Sequence, residues 1–339
     1  MDKRSKYVAT LMIAATMVVS VATAARAETA SIKIARQYGI IYLPLMLMEH
    51  DKLFEKYAAK EGLQNPSAEF TQLGGTAIMN DALISGSLDF ASVGAPALAK
   101  LWDKTKGSPS EVRGMAAISS MPMLLNTRDP NVHRIRDFTS KNKIAMNAVK
   151  VSIYAMVLQM AAAKEFGIKN YDKLDVFTVS LPHPEATQAL LSGMGEIDSH
   201  FTAPPYSYQE LAKPGIHTVL NASDVLGPHG SIVLVVSTKR FREQNPKAYK
   251  AMFNAYSEAM KTLNQNKEYA AKVYIEMTKS KESLDAVLKI LNDPETEFTL
   301  TPKSTMKYVN FMEEIGLLKN RVSSWKDLFF PEIHDLPGN

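Results

Sequence analysis

The sequence predicts an α/β fold of two lobes, each a mostly parallel sheet flanked by helices. Three observations carry this. Strand-like and helical stretches alternate along the chain, one helix–glycine–strand pattern occurs twice, and the 339 residues contain no cysteine. Without cysteine there are no disulfides, no thiol nucleophile and no thiolate metal ligand. Stability must then come from a large core. The roughly 312 residues that follow an N-terminal export signal build one most naturally as two lobes.

That signal is read from Met1 to about Ala27. Lys3, Arg4 and Lys6 precede an uncharged stretch from Tyr7 to Ala24, and Ala25-Arg26-Ala27 offers small residues at a cleavage site. The alternative is an uncleaved anchor, but the stretch is rich in Ala and Thr rather than Leu. The net charge is +4, with Lys3, Arg4, Lys6 and Arg26 against Asp2 inside the signal. The exported part is thus nearly neutral and has no basic stripe, which argues against nucleic acid as a partner. Its polar surface suits a monomer.

After the signal, Ser31–Ala35 alternates as a strand, and Leu43–Tyr57 reads as a helix rich in Leu and Met. Ala68–Gln72 reads as a second strand, Ala77–Ser85 as a helix and Leu88–Val93 as a third strand. The scheme repeats with strands at Lys143–Met146, Val176–Val179 and Ile197–Phe201. Helices at Ser152–Phe166 and Glu185–Leu191 separate them. Ser231–Val236 is β-prone, and the chain is mostly helical from Pro246 onward. Strands alternating with helices at this spacing favour parallel pairing.

The repeated pattern is Asn80-Asp81-Ala82-Leu83-Ile84-Ser85-Gly86 with Asp89, and Ala189-Leu190-Leu191-Ser192-Gly193 with Glu196; the two glycines are 107 residues apart. Each glycine is expected to cap its helix in a left-handed conformation. Each acid is expected to tie down the turn into the next strand, and each strand to lead into a proline loop, Gly94-Ala95-Pro96 or Thr202-Ala203-Pro204-Pro205. A period this long is not that of a solenoid, and it suits two similar lobes.

The Gly74-Gly75 turn and the two Ser-Gly helix ends resemble those of periplasmic solute-binding proteins of ABC importers, most closely the nitrate/sulfonate/taurine group. The resemblance implies a type II periplasmic-binding fold with a two-crossing hinge: residues 28–118 with 231–339 as one lobe and 119–230 as the other. It implies a solute held between the lobes and a membrane permease as partner. Similar enzymes that make a thiamine pyrimidine precursor carry a cysteine-rich motif, which this chain lacks.

In an open α/β sheet, ligands gather at the carboxyl ends of the strands. Four places are therefore candidates. Gln37, Tyr38 and Gly39 follow the first strand, with Arg36 beside them; Tyr38 could stack on a solute or pack on its lobe. Gly74, Gly75 and Thr76 begin a helix whose free N–H groups suit an anion, or Thr76 simply caps it. Val151 and Ser152 begin the long second-lobe helix. Gly94, Ala95, Pro96, Thr202 and Pro204 lie in the proline loops, with His183 and His229 near predicted loop ends. No catalytic set, metal spacing or cofactor motif is present in the sequence. The resulting expectation is a periplasmic carrier of a small anion such as a sulfonate, taurine or nitrate, not an enzyme. The alternative is a pyrimidine or flavin-like solute stacked on Tyr38, Phe201, Tyr206 and the two histidines His183 and His229. A bulky replacement of Ser152 should abolish solute binding while the fold survives; unchanged affinity by calorimetry would remove that helix start from the site.

Overall fold

The structure is a computed structural model that describes residues 28–339. The expected signal, Met1–Ala27, lies outside the described residues.

The first sheet begins with β1 (Ser31–Arg36), in which Ile32 and Ile34 point into the core while Ser31 and Lys33 face solvent. A 3-10 turn at Ile40–Tyr42 leads into α1 (Leu43–His50) and α2 (Leu53–Lys60). One helix was expected across this span. Instead, Lys52 adopts a left-handed conformation (φ 49°) and turns the chain so that Leu53 and Phe54 also reach the core. Next come β2 (Ser67–Gln72), α3 (Thr76–Ser85), β3 (Phe90–Val93), α4 (Ala95–Thr105) and β4 (Val112–Ser120).

The second sheet comprises β5 (Leu124–Thr127), β6 (Ile144–Met146), β7 (Thr178–Ser180), β8 (Ser199–Thr202) and β9 (His217–Asn221). Its helices are α5 (Ile153–Phe166), α6 (His183–Ser192), α7 (Tyr206–Leu211) and the short α8 (Ser223–Leu226). The chain then returns to the first sheet through β10 (Val233–Thr238), followed by α9 (Lys239–Gln244), α10 (Pro246–Gln265), α11 (Lys267–Thr278) and α12 (Leu284–Leu291). The two-residue β11 (Glu297–Phe298) and α13 (Thr305–Glu314) complete the elements.

Strand order is β11-β4-β10-β3-β1-β2 in the first sheet and β7-β6-β8-β5-β9 in the second. Both follow one plan: a parallel trio, then a strand that has crossed over from the other part of the chain, then a further antiparallel strand, to which the first sheet adds the short β11. The crossing strands explain a correction to the expectation of mostly parallel sheets. β10 enters from the opposite direction and pairs antiparallel with β3 and β4, and β5 pairs antiparallel with β8 and β9. Parallel pairing is confined to the strand–helix–strand runs. The chain leaves the first sheet after Ser120 rather than at 118, because Ser119 and Ser120 still pair with β10 and β11.

The repeated pattern has a physical basis. Gly86 and Gly193 end α3 and α6 with φ of 79° and 72°. The Asp89 carboxylate accepts a hydrogen bond from the Lys33 N–H at 2.8 Å and so ties the β3 turn to β1. In the second copy this work falls to Asp198, not to the exposed Glu196. Asp198 accepts from Asn142 Nδ2 at 3.0 Å and from the Lys143 N–H at 3.4 Å. A second correction concerns Gly94-Ala95-Pro96. This segment is not a loop: Gly94 caps α4, and Pro96 sits in its first turn, where a missing N–H costs nothing.

α10 buries Tyr249, Met252, Tyr256 and Met260 along one stripe and packs on α1 and α2. Its Tyr256 hydroxyl donates to the Ala117 carbonyl at 2.6 Å, fastening the helix to β4. The C-terminal segment crosses the same strand. Phe330 N–H donates to the Gly114 carbonyl at 2.9 Å, and the Phe329 ring lies where a Gly114 Cβ would stand, 2.4 Å away. Gly114→Ala should therefore lower unfolding free energy by about 1–3 kcal/mol in urea titration. Unchanged stability would show that the C-terminal segment does not press on β4.

Candidate functional site

The carboxyl ends of the parallel strands in the two sheets face one another, and their loops meet through glycine. A Cβ built on Gly74 would lie 3.2 Å from Pro182 Cγ, and one on Gly75 would lie 3.1 Å from the Asn147 carbonyl. A Gly39 Cβ would touch the Tyr206 ring at 3.6 Å, and a Gly94 Cβ would come within 3.0 Å of Ile153 Cβ. A side chain at Gly74 or Gly75 would thus hold the two sheets apart. Gly39 has the further need of a positive φ, 114°.

Polar groups bridge the same face. Asn147 Nδ2 donates to Gln37 Oε1 at 2.7 Å, and Gln37 Nε2 donates to Thr76 Oγ1 at 3.3 Å. Gly75, rather than Thr76, occupies the cap position of α3, which frees the Thr76 hydroxyl for Gln37. Ser152 caps α5 by accepting the Ala155 N–H at 3.2 Å and is itself buried. Asn147 Oδ1 and Arg36 Nε are buried without a hydrogen-bond partner among the described residues. Arg36 is the buried cation of this face, and its Nη2 is paired with Glu49 at 3.2 Å.

A set of rings surrounds these groups. His183, the first residue of α6, lies nearly parallel to Tyr206 with centroids 5.8 Å apart. It meets Tyr154 of α5 edge-on at 5.1 Å. Tyr154 also packs against Phe201 of β8 at 5.5 Å. Tyr42 approaches from the first sheet, close enough for its hydroxyl to be affected by those of Tyr154 and Tyr206. Burial pushes the phenols of Tyr42, Tyr154 and Tyr206 well up, and they stay neutral. Burial also holds His183 well below the usual histidine range, with the neighbouring His200 adding to the effect.

The structure thus groups Gln37, Tyr38, Gly39, Gly74, Gly75, Thr76, Gly94, Ser152, His183, Thr202 and Pro204 about the meeting loops. Pro204 precedes a cis peptide bond to Pro205, and its carbonyl lies 3.9 Å from a Gly39 Cβ. Pro96 and Val151 instead line a neighbouring pocket of about 200 Å³ with Asp81, Lys100, Lys104 and Lys150. Ala95 is buried in the first turn of α4. His229 is remote, 3.8 Å from Glu297 near the second crossing. Sequence reasoning missed Tyr42, Tyr154 and Asn147. The signal for the first two was a tyrosine just beyond each predicted helix-entry loop.

Among the described residues, no group of three His, Asp or Glu side chains could hold a metal. A groove of about 670 Å³ lies apart from the rings, between α7 and α12. On its borders, the Tyr208 hydroxyl donates to Asp293 at 2.6 Å and Gln209 Nε2 donates to Glu282 at 2.9 Å.

A model of the NMT1-like family matches residues 25–276. No curated protein sequence matches the chain. Among solved structures, the chain is similar to the alkanesulfonate-binding protein SsuA from Xanthomonas axonopodis pv. citri bound to MOPS. The TM-score is 0.66 at 15% identity, over 87% of this chain and 96% of that one. It is also similar to the periplasmic nitrate-binding protein NrtA from Synechocystis PCC 6803, with TM-score 0.65 at 16% identity over 89% and 85% of the two chains. For the periplasmic aliphatic sulphonate-binding protein SsuA from Escherichia coli, the TM-score is 0.62 at 15% identity, over 88% and 98%. At these identities the likeness is one of fold.

Gly75 has an extended backbone (φ −160°, ψ 154°) that valine adopts readily. Gly75→Val should therefore fold but keep the loops apart. Small-angle scattering should give it a larger radius of gyration than the parent chain, and identical curves would contradict the close approach.

Proposed function

Because this chain belongs to the NMT1-like family, we propose that it is the solute-capturing component of an ABC uptake system and works in the periplasm. Its fold neighbours include import components that bind sulfonates and nitrate. The proposed lobes are residues 28–120 with 231–339, and 121–230, since Ser119 and Ser120 pair within the first sheet. They close on a solute and present the closed form to a permease, and the carrier makes and breaks no bond. A solute touched by both lobes stabilises the closed arrangement by the difference in its affinity for the closed and open forms. Residues Met1 to about Ala27 act in this reading as the export signal, and the chain works as a monomer.

For the solute, the geometry favours a small aromatic or heterocyclic molecule over an inorganic anion or a simple sulfonate. The observation that carries this is the ring set of Tyr42, Tyr154, Tyr206 and His183 at the meeting face. Flat neutral rings offer stacking and apolar contact. An anion would need an unpaired buried cation, yet Arg36 is engaged by Glu49 and Lys150 is exposed. The helix starts at Gly75 and Ser152 favour the anion, since the Ser152 hydroxyl accepts the Ala155 N–H and keeps its own proton to donate, but no unpaired buried cation joins them.

Calorimetry with a panel of pyrimidines, phenols, taurine and nitrate tests this. Ring compounds should bind, and Tyr206→Ala should weaken them by about tenfold or more through lost stacking and contact area. Binding of nitrate or taurine with no binding of any ring compound would overturn the reading.

A further inference from the structure

Behind the ring face lies a fully buried chain of titratable groups that capture by stacking does not require. Glu210 of α7 and His200 of β8 are both wholly buried. Glu210 Oε1 accepts from the Thr187 hydroxyl at 2.9 Å and lies 2.6 Å from His200 Nδ1. Glu210 Oε2 accepts from Asn126 Nδ2 at 3.0 Å. On its other side, His200 Nε2 lies 2.9 Å from Nδ1 of His183. The Thr202 hydroxyl lies 3.0 Å from that same His183 nitrogen. The far nitrogen of His183, Nε2, takes no hydrogen bond from the described residues, and its ring is the one that stacks on Tyr206.

We propose that the chain Glu210–His200–His183 fixes the tautomer of His183 so that its Nε2 meets the solute as a hydrogen-bond acceptor. The solute is accordingly a ring compound that carries an N–H or O–H donor. This rests on the reading of the ring face as the solute site.

The direction follows from counting donors and acceptors. A carboxylate that accepts from a hydroxyl and an amide accepts from the imidazole too, so His200 carries its proton on Nδ1. With its single ring proton held on Nδ1 by the carboxylate, His200 offers Nε2 as an acceptor, and the proton between the two rings belongs to His183 Nδ1. The Thr202 hydroxyl oxygen, 3.0 Å from the same His183 nitrogen, shares that proton as a second acceptor. His183 is enclosed by Tyr154 and Tyr206 and stays neutral through burial. Its single ring proton is thus used on the inner side, and Nε2 is left bare. A sulfonate group or nitrate presents only acceptor oxygens and would face this bare nitrogen lone pair to lone pair. A lactam N–H or a phenol O–H would complete the line of hydrogen bonds.

Two measurements on the full chain decide the matter. The first is two-bond proton–nitrogen correlation on ¹⁵N-histidine protein at neutral pH, with His183 assigned by its loss in His183→Gln. His183 should appear protonated at Nδ1 and bare at Nε2, and a protonated Nε2 would overturn the proposal. Glu210→Gln should redistribute the His183 proton toward Nε2, a change that a purely structural carboxylate would not produce. If that variant does not fold, the parent spectrum alone decides. The second is calorimetry of uracil and phenol against N,N′-dimethyluracil and anisole. The donor-bearing members should bind about ten- to hundredfold more tightly, since a buried acceptor left unpaired is costly. Equal affinity within the pairs would overturn the relay but leave the ring site standing. Binding of nitrate or taurine alone, or of no ring compound at all, would remove both.

Discussion

The close approach of two sheet edges through bare backbone is the constraint on which the rest of this molecule depends. Gly74 and Gly75 stand where any side chain would meet Pro182 or the Asn147 carbonyl, and Gly39 stands under the Tyr206 ring. That proximity lets Asn147 reach Gln37 and brings Tyr42 to the rings of the second sheet. It also makes the site a composite, since the grouping exists only where the two sheets meet. The proposed carrier role rests on this geometry. A solute that fills the space between two faces is bound by both at once, and its binding energy is spent on holding them together.

The two sheets reach this geometry by one recipe used twice. A glycine in left-handed conformation ends α3 and α6, and an aspartate bonded to the neighbouring strand aligns β3 and β8. In each sheet the crossing strand is antiparallel to its neighbours. The crossings run between the same sheet ends at which the loops meet: Ser119 and Val93 lie beside the start of β10, and Thr202 and Asn221 pair with Leu124 at the start of β5. Tyr256 and the C-terminal phenylalanines clamp β4 from outside, so the first sheet is a firm base beside the crossing.

Much of the fold was legible because its signals are local. Gly86 and Gly193 announce helix ends through their spacing, and Ser152 announces the start of α5. The errors are also instructive. Pro96 looks like a chain breaker, yet in the first turn of α4 it is compatible with a helix. Glu196 occupies the expected acidic position, but Asp198, two residues on, lies within reach of the Lys143 N–H. The anion expectation and the ring-compound proposal draw on different signals, the first on free helix starts, which local sequence can show. The ring set and the Glu210–His200–His183 chain join residues from α5, α6, β8, α7 and the first sheet. No local pattern marks them, because their relation arises only from packing.

The account's central claim is that this face holds a neutral ring compound between two closing lobes. The most direct measurement is native mass spectrometry of the protein extracted gently from the cells that export it, followed by identification of the released small molecule. The account predicts a neutral aromatic or heterocyclic compound with an N–H or O–H donor. Release of nitrate, taurine or another sulfonate would contradict it.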